Sequence, residues 1–437
     1  MNITVIGTGY VGLVSAVVLA DIGHTVTCVD IDKVKIDRLE AGEPVIFEEG
    51  LADMMKKNKS RLIYTNDMKT AYKEPDVIFI CVGTPEKEDG SANIEYVYSA
   101  VDDAIKNIHS DVVMVIKSTV PIGTNDKIQQ YIDEHQKNKF KIEIVSNPEF
   151  LSQGTAVKNM MHADRIIIGA DNEKPQKIMR QVYENLNTPI IYTDRCSAEM
   201  IKYASNDFLA LKISYINEIA NLCELLGANI RDVARGMGMD PRIGNRFLNA
   251  GIGYGGSCFP KDTKALYSLA KANGYEMKTV KAAIEVNKAQ KLRLIEKSKQ
   301  YYDSLNGLIV AVLGLTFKPG TDDLREAPSL VNVPEILKEG AAIQAWDSVG
   351  IENFKITMQN NEDYDEKKIT YYNSPSEALV GADICFIFTE WDEVKALRTD
   401  DFLRMRKPII LDGRNCFEQG KFECENIKYS SIGSKEY

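Results

Sequence analysis

Eight cysteines lie along the 437 residues, at positions 28, 81, 196, 223, 258, 385, 416 and 424, and one stands in a context suited to reaction. Cys258 ends the run Gly251-Ile-Gly-Tyr-Gly-Gly-Ser-Cys, with four glycines, and is followed by Phe-Pro-Lys261-Asp262. Glycines let backbone come close to a ligand. A neighbouring cation favours thiolate, and a neighbouring carboxylate can manage protons. A buried structural cysteine needs none of this, so the nucleophile reading leads. Several other cysteines fall in apolar runs (TVTCVD, VIFICVG, ICFIFT) and read as buried reduced thiols. With no CxxC pair and four dispersed histidines, no zinc site is expected.

Lys202 and Asn206 are four residues apart in a helical stretch and so share a face. A lysine and an amide on one face can bind an oxygen that becomes negative in a transition state. Taken alone, such pairs are mostly solvated. Glu149, in Ser-Asn-Pro-Glu-Phe-Leu, leaves a strand where a carboxylate can orient or deprotonate water; a helix-first-turn acid is an equally good reading from the residues alone. Gly7-Thr8-Gly9-Tyr10-Val11-Gly12 follows the strand NITVI and opens a helix, and the next strand ends in Asp30, eighteen residues after Gly12. That is the pattern of a pyrophosphate held on a helix N-terminus with a carboxylate on the adenosine ribose, favouring NAD over NADP. Lys35, one turn into the following helix, is placed for the adenosine end. Gly83-Thr84-Pro85 and Ser118-Thr119-Val120-Pro121 follow predicted strands at the edge where doubly wound sheets bind ligands. Lys318 and Arg325, in GLTFKPGTDDLREAP, are two cations on a loop after a strand, with phosphate as the natural partner.

The elements that position these residues follow from periodicity. Over the first ~200 residues, short β-rich runs alternate with helical stretches, which predicts a parallel sheet covered on both faces. Strands are predicted at 3–6, 25–29, 77–82, 112–116, 142–145 and 165–168. From Cys196 to about Leu226 the chain has no proline or internal glycine and an apolar period of three to four, which predicts one long amphipathic helix. A second α/β unit begins at Leu308, with strands in LIVAVLGL, ICFIFT and PIILDG; 359–368 reads as a surface segment. The expected fold is α/β: two Rossmann-like doubly wound domains joined by a central helical domain with one long helix. The expected divisions are 1–196 (dinucleotide), 197–303 (helical, carrying Cys258) and 304–437 (second α/β domain).

The balance of 53 Lys+Arg against 63 Asp+Glu gives a net charge of −10, which argues against a general nucleic-acid binder. The longest apolar run, 308–315, is far short of the ~20 residues of a membrane span. The opening MNITVIGTGYVGL lacks a basic leader and a cleavage pattern, so a cytoplasmic location is expected.

Taken together, GTGYVG (7–12), VGTP (82–85), KSTVPIGT (117–124), NPEFL (147–151), EMIKYASNDFLALKISYINEIA (199–220), PRIGNRFLNAGIGYGGSCFPKD (241–262) and GLTFKPGTDDLREAP (314–328) resemble the UDP-glucose dehydrogenases of the UDP-glucose/GDP-mannose dehydrogenase family. The resemblance covers almost the whole chain in order. It implies oxidation of UDP-glucose to UDP-glucuronate by two NAD, with Cys258 capturing the C6 aldehyde and carrying a thioester. By the same resemblance Lys202 and Asn206 stabilise the oxyanion, Asp262 and Thr119 hold water or move protons, and Glu149 assists hydrolysis. NAD would meet Gly7, Gly9, Tyr10, Val11, Gly12, Asp30, Lys35, Thr84, Thr119, Glu149, Lys261 and Arg325. The UDP-sugar would meet Glu149, Phe150, Leu151, Ser152, Gln153, Lys202, Asn206, the loop Phe247, Leu248, Asn249, Ala250 and Gly251, Gly255 and the UDP lysine, Lys318. Arg242 matches an arginine that reaches a neighbouring subunit's sugar site, so a homodimer or higher homo-oligomer built on the long helix is implied, with no metal. Gln153 departs from the PEFLxE of many relatives and leaves Glu149 as the better carboxylate. The rival readings are a sister dehydrogenase of GDP-mannose or a UDP-N-acetyl-hexosamine, a single-step hydroxyacid dehydrogenase, and an NAD-sensing binding protein.

Overall fold

A computed structural model describes residues 1–418, 420–422 and 426–434. Cys424 lies outside the described residues. The chain forms two compact units, Met1–Ser205 and Asn206–Tyr437, and the division falls inside the helix Arg195–Leu226. That helix runs for 32 residues without interruption, as its spacing predicts.

The first unit is built on an eight-stranded sheet. In chain order its strands are β1 (Asn2–Ile6), β2 (Thr25–Val29), β3 (Leu62–Thr65), β4 (Val77–Ile80), β5 (Val112–Ile116), β6 (Ile142–Ser146), β7 (Ile166–Gly169) and β8 (Ile190–Thr193). They are arranged β3-β2-β1-β4-β5-β6-β7-β8. The order reverses between β1 and β4, which makes the carboxyl ends of those strands the place where a ligand crevice opens. VIFI of β4 and VVMVI of β5 are buried throughout, as strands covered on both faces must be. The helix Tyr10–Asp21 buries Gly12 through Ala20, its Leu13, Val14 and Val17 packing into the core with β1 and β2.

The sheet departs from the expected all-parallel arrangement at one junction. β7 meets β6 antiparallel through a single residue pair, Ser146 opposite Gly169. The connection between them stays at one edge of the sheet, with only the short helix Ala156–Met161, so the chain never crosses back to restart in parallel.

The second unit carries a six-stranded sheet of β9 (Ile309–Leu313), β10 (Ala342–Trp346), β11 (Ile369–Tyr371), β12 (Ile384–Ile387), β13 (Ile409–Asp412) and β14 (Lys428–Ser431). All its pairings are parallel, in the order β11-β10-β9-β12-β13-β14. Ahead of it come helices Ile230–Gly238, Phe259–Ala272 and Lys278–Gln290. Segment 359–368 is almost wholly exposed, as expected. Among the described residues, no helix is long and apolar enough to cross a membrane.

Candidate active site

In the first unit, the turn after β1 shows why three glycines stand at 7, 9 and 12. Gly7 has φ +91°, and a Cβ there would lie 3.1 Å from the Cys81 carbonyl oxygen. A Cβ on Gly12 would lie 1.8 Å from the Gly7 carbonyl oxygen, so only glycine lets the helix start this close to the strand. A Cβ on Gly9 would meet nothing within 4 Å, which leaves an open cradle in front of the helix start. The first intrahelical bond runs from the Leu13 N–H to the Gly9 carbonyl. The backbone N–H groups of Tyr10, Val11 and Gly12 therefore face the cradle as helix-terminal donors suited to a pyrophosphate. Asp30 closes the turn: its Oδ2 accepts from the Thr8 N–H (2.8 Å) and hydroxyl (2.7 Å), and its Oδ1 from the Asp32 N–H (3.0 Å). Burial opposes ionisation, but these bonds and the charge of Lys35 outweigh it and hold the carboxyl below its ordinary value. Lys35 itself lies 3.8 Å from Asp32, and the Tyr10 hydroxyl donates to the Phe47 carbonyl. The Thr84 hydroxyl donates to the Thr119 carbonyl (2.9 Å), tying the loops after β4 and β5 together at the same sheet edge.

Glu149 sits on the extended segment after β6, not in a helical first turn. Its Oε1 accepts from the Lys202 ammonium at 3.0 Å and its Oε2 from the Leu151 N–H. Lys202 is 3 % exposed, so the solvated reading of this lysine fails. Burial works against the Glu149 anion, yet Lys202, the Leu151 N–H and Lys117 hold its carboxyl below the usual range. Lys117, buried and donating to Asn147 Oδ1, is pulled down by desolvation. The Arg165 guanidinium stacks on Phe150, 3.8 Å from the ring centroid. A cavity of about 100 Å³ opens here, bordered by Lys117, Glu149, Phe150, Leu151 and Arg165. Next to Ser152 and Gln153, Glu48 accepts from the N–H groups of Gly154 and Ala156, a loop anchor that the sequence does not announce.

In the second unit, Cys258 is half-buried at the N-cap of the helix Phe259–Ala272, where the helix dipole favours a thiolate. The thiol lies 3.7 Å from the Ser257 hydroxyl. One turn on, Asp262 is 1 % exposed and accepts from the Asn206 amide (2.7 Å) and the Lys261 ammonium. Asn206 is thus paired with a carboxylate from the cysteine's own helix. By contrast, burial pushes the Cys81 thiol up to about 12 and the Cys28 and Cys385 thiols well above their ordinary value, which leaves them inert.

The loop before Cys258 is fixed from both sides. The Gly251 N–H donates to Asn217 and its carbonyl accepts from Gln290, while Asn287 bonds both the N–H and the carbonyl of Tyr254. A Cβ on Gly255 would lie 2.5 Å from the Glu326 carbonyl oxygen, so the loop's glycines serve packing as well as access. Arg414 donates to the carbonyls of Gly253, Phe317 and Phe388, and Asn415 to that of Ala250. A cavity of about 1080 Å³ beside this loop is lined by Phe247, Leu248, Asn249 and Ala250 together with Arg231, Arg235, Arg246 and Arg414. Four arginines border this cavity beside Lys395 and Glu390, a cationic lining that suits a diphosphate even though Arg231 and Arg414 also bond backbone carbonyls, and the sequence motifs singled out none of them. Lys318 lies over the Phe317 ring, Arg325 forms a two-point pair with Asp323, and Arg242 is exposed and paired with Asp240.

A doubly wound unit with a glycine cradle, and a second with a half-buried thiol at a helix N-terminus and an arginine-lined cavity, suit a nucleotide-dependent dehydrogenase. Models of the UDP-glucose/GDP-mannose dehydrogenase family match in sequence: its NAD binding domain over residues 1–187, its central domain over 196–289 and its UDP binding domain over 311–419. The chain belongs to this family, whose members are NAD-dependent oxidoreductases. It is 45% identical to the UDP-glucose 6-dehydrogenase YwqF of Bacillus subtilis over 100% of this chain and 98% of that one. The structure of a UDP-glucose dehydrogenase from Pyrobaculum islandicum superposes with a TM-score of 0.91 at 34% identity, covering 99% of this chain and 98% of that one. A UDP-D-ManNAc dehydrogenase from Pyrococcus horikoshii superposes with a TM-score of 0.86 at 25% identity, covering 99% of each.

Proposed function

We propose that the protein oxidises UDP-glucose at C6 to UDP-glucuronate in two steps, through a covalent bond to Cys258. The observation that carries this reading is the Cys258–Asp262 turn. A half-buried thiol stands at a helix N-terminus, with a buried carboxylate one turn on that is bonded to Asn206 and Lys261. An aldehyde presents no hydride to an acceptor until a nucleophile adds to it, so a four-electron oxidation at one carbon calls for such a thiol. The cradle of Gly7, Gly9 and Gly12 with Asp30 would hold NAD, which supplies the hydride acceptor when bound.

The chain's own residues do the remaining work. Asp262 takes the proton that leaves the C6 hydroxyl in the first oxidation. The Cys258 thiolate then forms its C–S bond to the aldehyde carbon, and the oxygen that becomes negative is met by the Lys202 ammonium and the Asn206 amide. Loss of the second hydride leaves a thioester. Glu149, with Thr119, orients water for attack on it; the C–S bond breaks and the thiolate leaves with the help of the Asp262 proton. The product carboxylate, two reduced cofactors and the released protons balance UDP-glucose, two NAD and one water. Lys318, Phe247–Gly251, Gly255 and the arginine-lined cavity take the UDP moiety, and Phe150–Gln153 the sugar side. Arg242 serves a neighbouring subunit of a homodimer or larger assembly.

UDP-glucose is preferred over the sister substrates because the relatives that act on it share more of this sequence than the UDP-D-ManNAc enzyme does. The seven described cysteines form no disulfide, which fits a reducing, cytoplasmic setting. The test is Cys258→Ser incubated with UDP-glucose and NAD. A serine ester hydrolyses more slowly than a thioester, so intact-mass spectrometry should show a UDP-glucuronyl adduct while turnover collapses. Cys258→Ala should form no adduct, and the wild type should release two NADH per sugar. One NADH per sugar, or full activity in Cys258→Ala, would move the protein to the single-step class.

A further inference from the structure

Asp207 follows Asn206 on the Arg195–Leu226 helix and has no role in the mechanism above. It is 5 % exposed, and neither carboxyl oxygen has a hydrogen-bond partner among the described residues. An ionised carboxylate in that position would be buried without compensation, whereas a protonated one is tolerated. Asp262, on the helix Phe259–Ala272 and bonded to the Asn206 amide next to Asp207 in the chain, is close enough for its charge to act on Asp207. The Tyr254 hydroxyl faces it from the glycine loop and is engaged with Thr263 and Ser214. The two donors nearest in sequence to this pair are already committed: the Asn206 amide and the Lys261 ammonium both bond Asp262. Two buried carboxyl groups therefore lie together, and the stabilising bonds go to one of them.

We propose that Asp207 is a positioning residue of this site: the protonated half of a carboxyl pair with Asp262, storing one proton so that the pair carries a single negative charge. Burial first, and then the Asp262 charge, raise the Asp207 carboxyl to about 7, so the store empties just above neutrality. Two like charges near one another resist a second ionisation, which keeps the proton on Asp207. A single negative charge leaves Cys258, at the start of the same helix as Asp262, free to become a thiolate and an oxyanion free to form on the sugar carbon. A second negative charge would oppose both. This catalytic consequence rests on the function proposed above; the stored proton does not.

Infrared spectroscopy of the full-length protein across neutral pH reads the proton directly. The carbonyl stretch of a protonated, buried carboxylic acid should be present below pH 7, fade with a midpoint near 7, and be missing from Asp207→Asn. An identical band in Asp207→Asn, or no such band in the wild type, overturns the proposal. In Asp262→Asn the neighbouring charge is gone, so the Asp207 band should titrate at lower pH; an unmoved midpoint overturns the pairing even if Asp207→Asn does not fold. In kinetics, the ratio of kcat for Asp207→Asn to that of the wild type should rise on the order of threefold between pH ~6 and ~8.5, with the KM for UDP-glucose unchanged. A flat ratio removes the catalytic consequence. One NADH per sugar would defeat the function reading and leave the infrared result standing.

Discussion

Replacing Lys202 by Met removes the charge and keeps the length and most of the volume of the side chain, which isolates its ion pair with Glu149. The partners are 3.0 Å apart, and both are buried. At an effective dielectric of ~20 their attraction is about 5 kcal/mol. Removing one partner of a buried pair typically costs about 3–5 kcal/mol, because the other charge is stranded. Lys117 remains near Glu149 and offsets part of this, so a loss of about 3 kcal/mol at pH ~7.5 is expected. The pH dependence gives a sharper signature. In the wild type the Glu149 carboxyl sits below its ordinary value, so its contribution is complete above the unfolded carboxylate range and is lost only as pH falls through the lower, folded value. Without Lys202, burial dominates and lifts the folded value above the unfolded one. Stability of the variant then falls as pH rises between the two, by about 1.4 kcal/mol per pH unit at most. The deficit against the wild type should therefore be largest near pH ~8 and shrink toward pH ~5, and Lys202→Met with Glu149→Gln should recover much of it. The assay is calorimetry or far-ultraviolet circular dichroism, because both tryptophans, Trp346 and Trp391, belong to the second unit and do not report on the first. A loss below about 1 kcal/mol, or one equal at both ends of the pH range, would refute the argument.

Three further outcomes follow from the same geometry. Asp30→Ala should raise the KM for NAD by on the order of tenfold and lessen the preference for NAD over NADP; equal kcat/KM for the two cofactors in the wild type would contradict the ribose role. Gly12→Ala should lose NAD binding and lower the melting temperature together, since its Cβ would collide with the Gly7 carbonyl; isothermal titration with NAD and a thermal melt check both. Lys318→Ala should weaken UDP binding by on the order of tenfold with a smaller change in kcat, and unchanged UDP affinity by calorimetry would detach Lys318 from the nucleotide.

Much of this architecture was legible because its central strands are buried on both faces and so read as continuous apolar runs. The strands that escaped are largely at the edges. β3, β8 and β11 are each three or four residues long and partly exposed, so they carry little of that pattern. β10 (AIQAW) has the alanines of a helix, and its state is set by β9 and β11 on either side. At the site, Cys258 announced itself through composition, and Lys202 with Asn206 through spacing. Burial was not legible: the same i,i+4 pair on a solvated helix would read identically, and only packing separates them. Asp207, Glu48 and the cavity arginines escaped for the same reason, since each acquires meaning from residues far away in the chain.

The two units also show why one cradle suffices. Both sheets reverse order after their first strand, and in both a carboxylate at the end of the second strand ties down the turn after the first. In the first unit Asp30 accepts from Thr8 and Asp32 and is half-buried, with lone pairs left to face a ribose. In the second, Asp347 accepts from the N–H groups of Leu315, Thr316, Val349 and Gly350, the Thr316 hydroxyl and the Trp391 indole. Six donors saturate a carboxylate. The turn itself is occupied as well: a Cβ on Gly314, which has φ +93°, would lie 2.4 Å from the Thr389 side chain, where Gly9 in the first unit faces open space. The second sheet has thus kept the topology of a dinucleotide fold while filling its crevice with its own side chains. The cavity lined by Arg231, Arg235, Arg246 and Arg414 lies in the same unit and offers charge that suits a diphosphate.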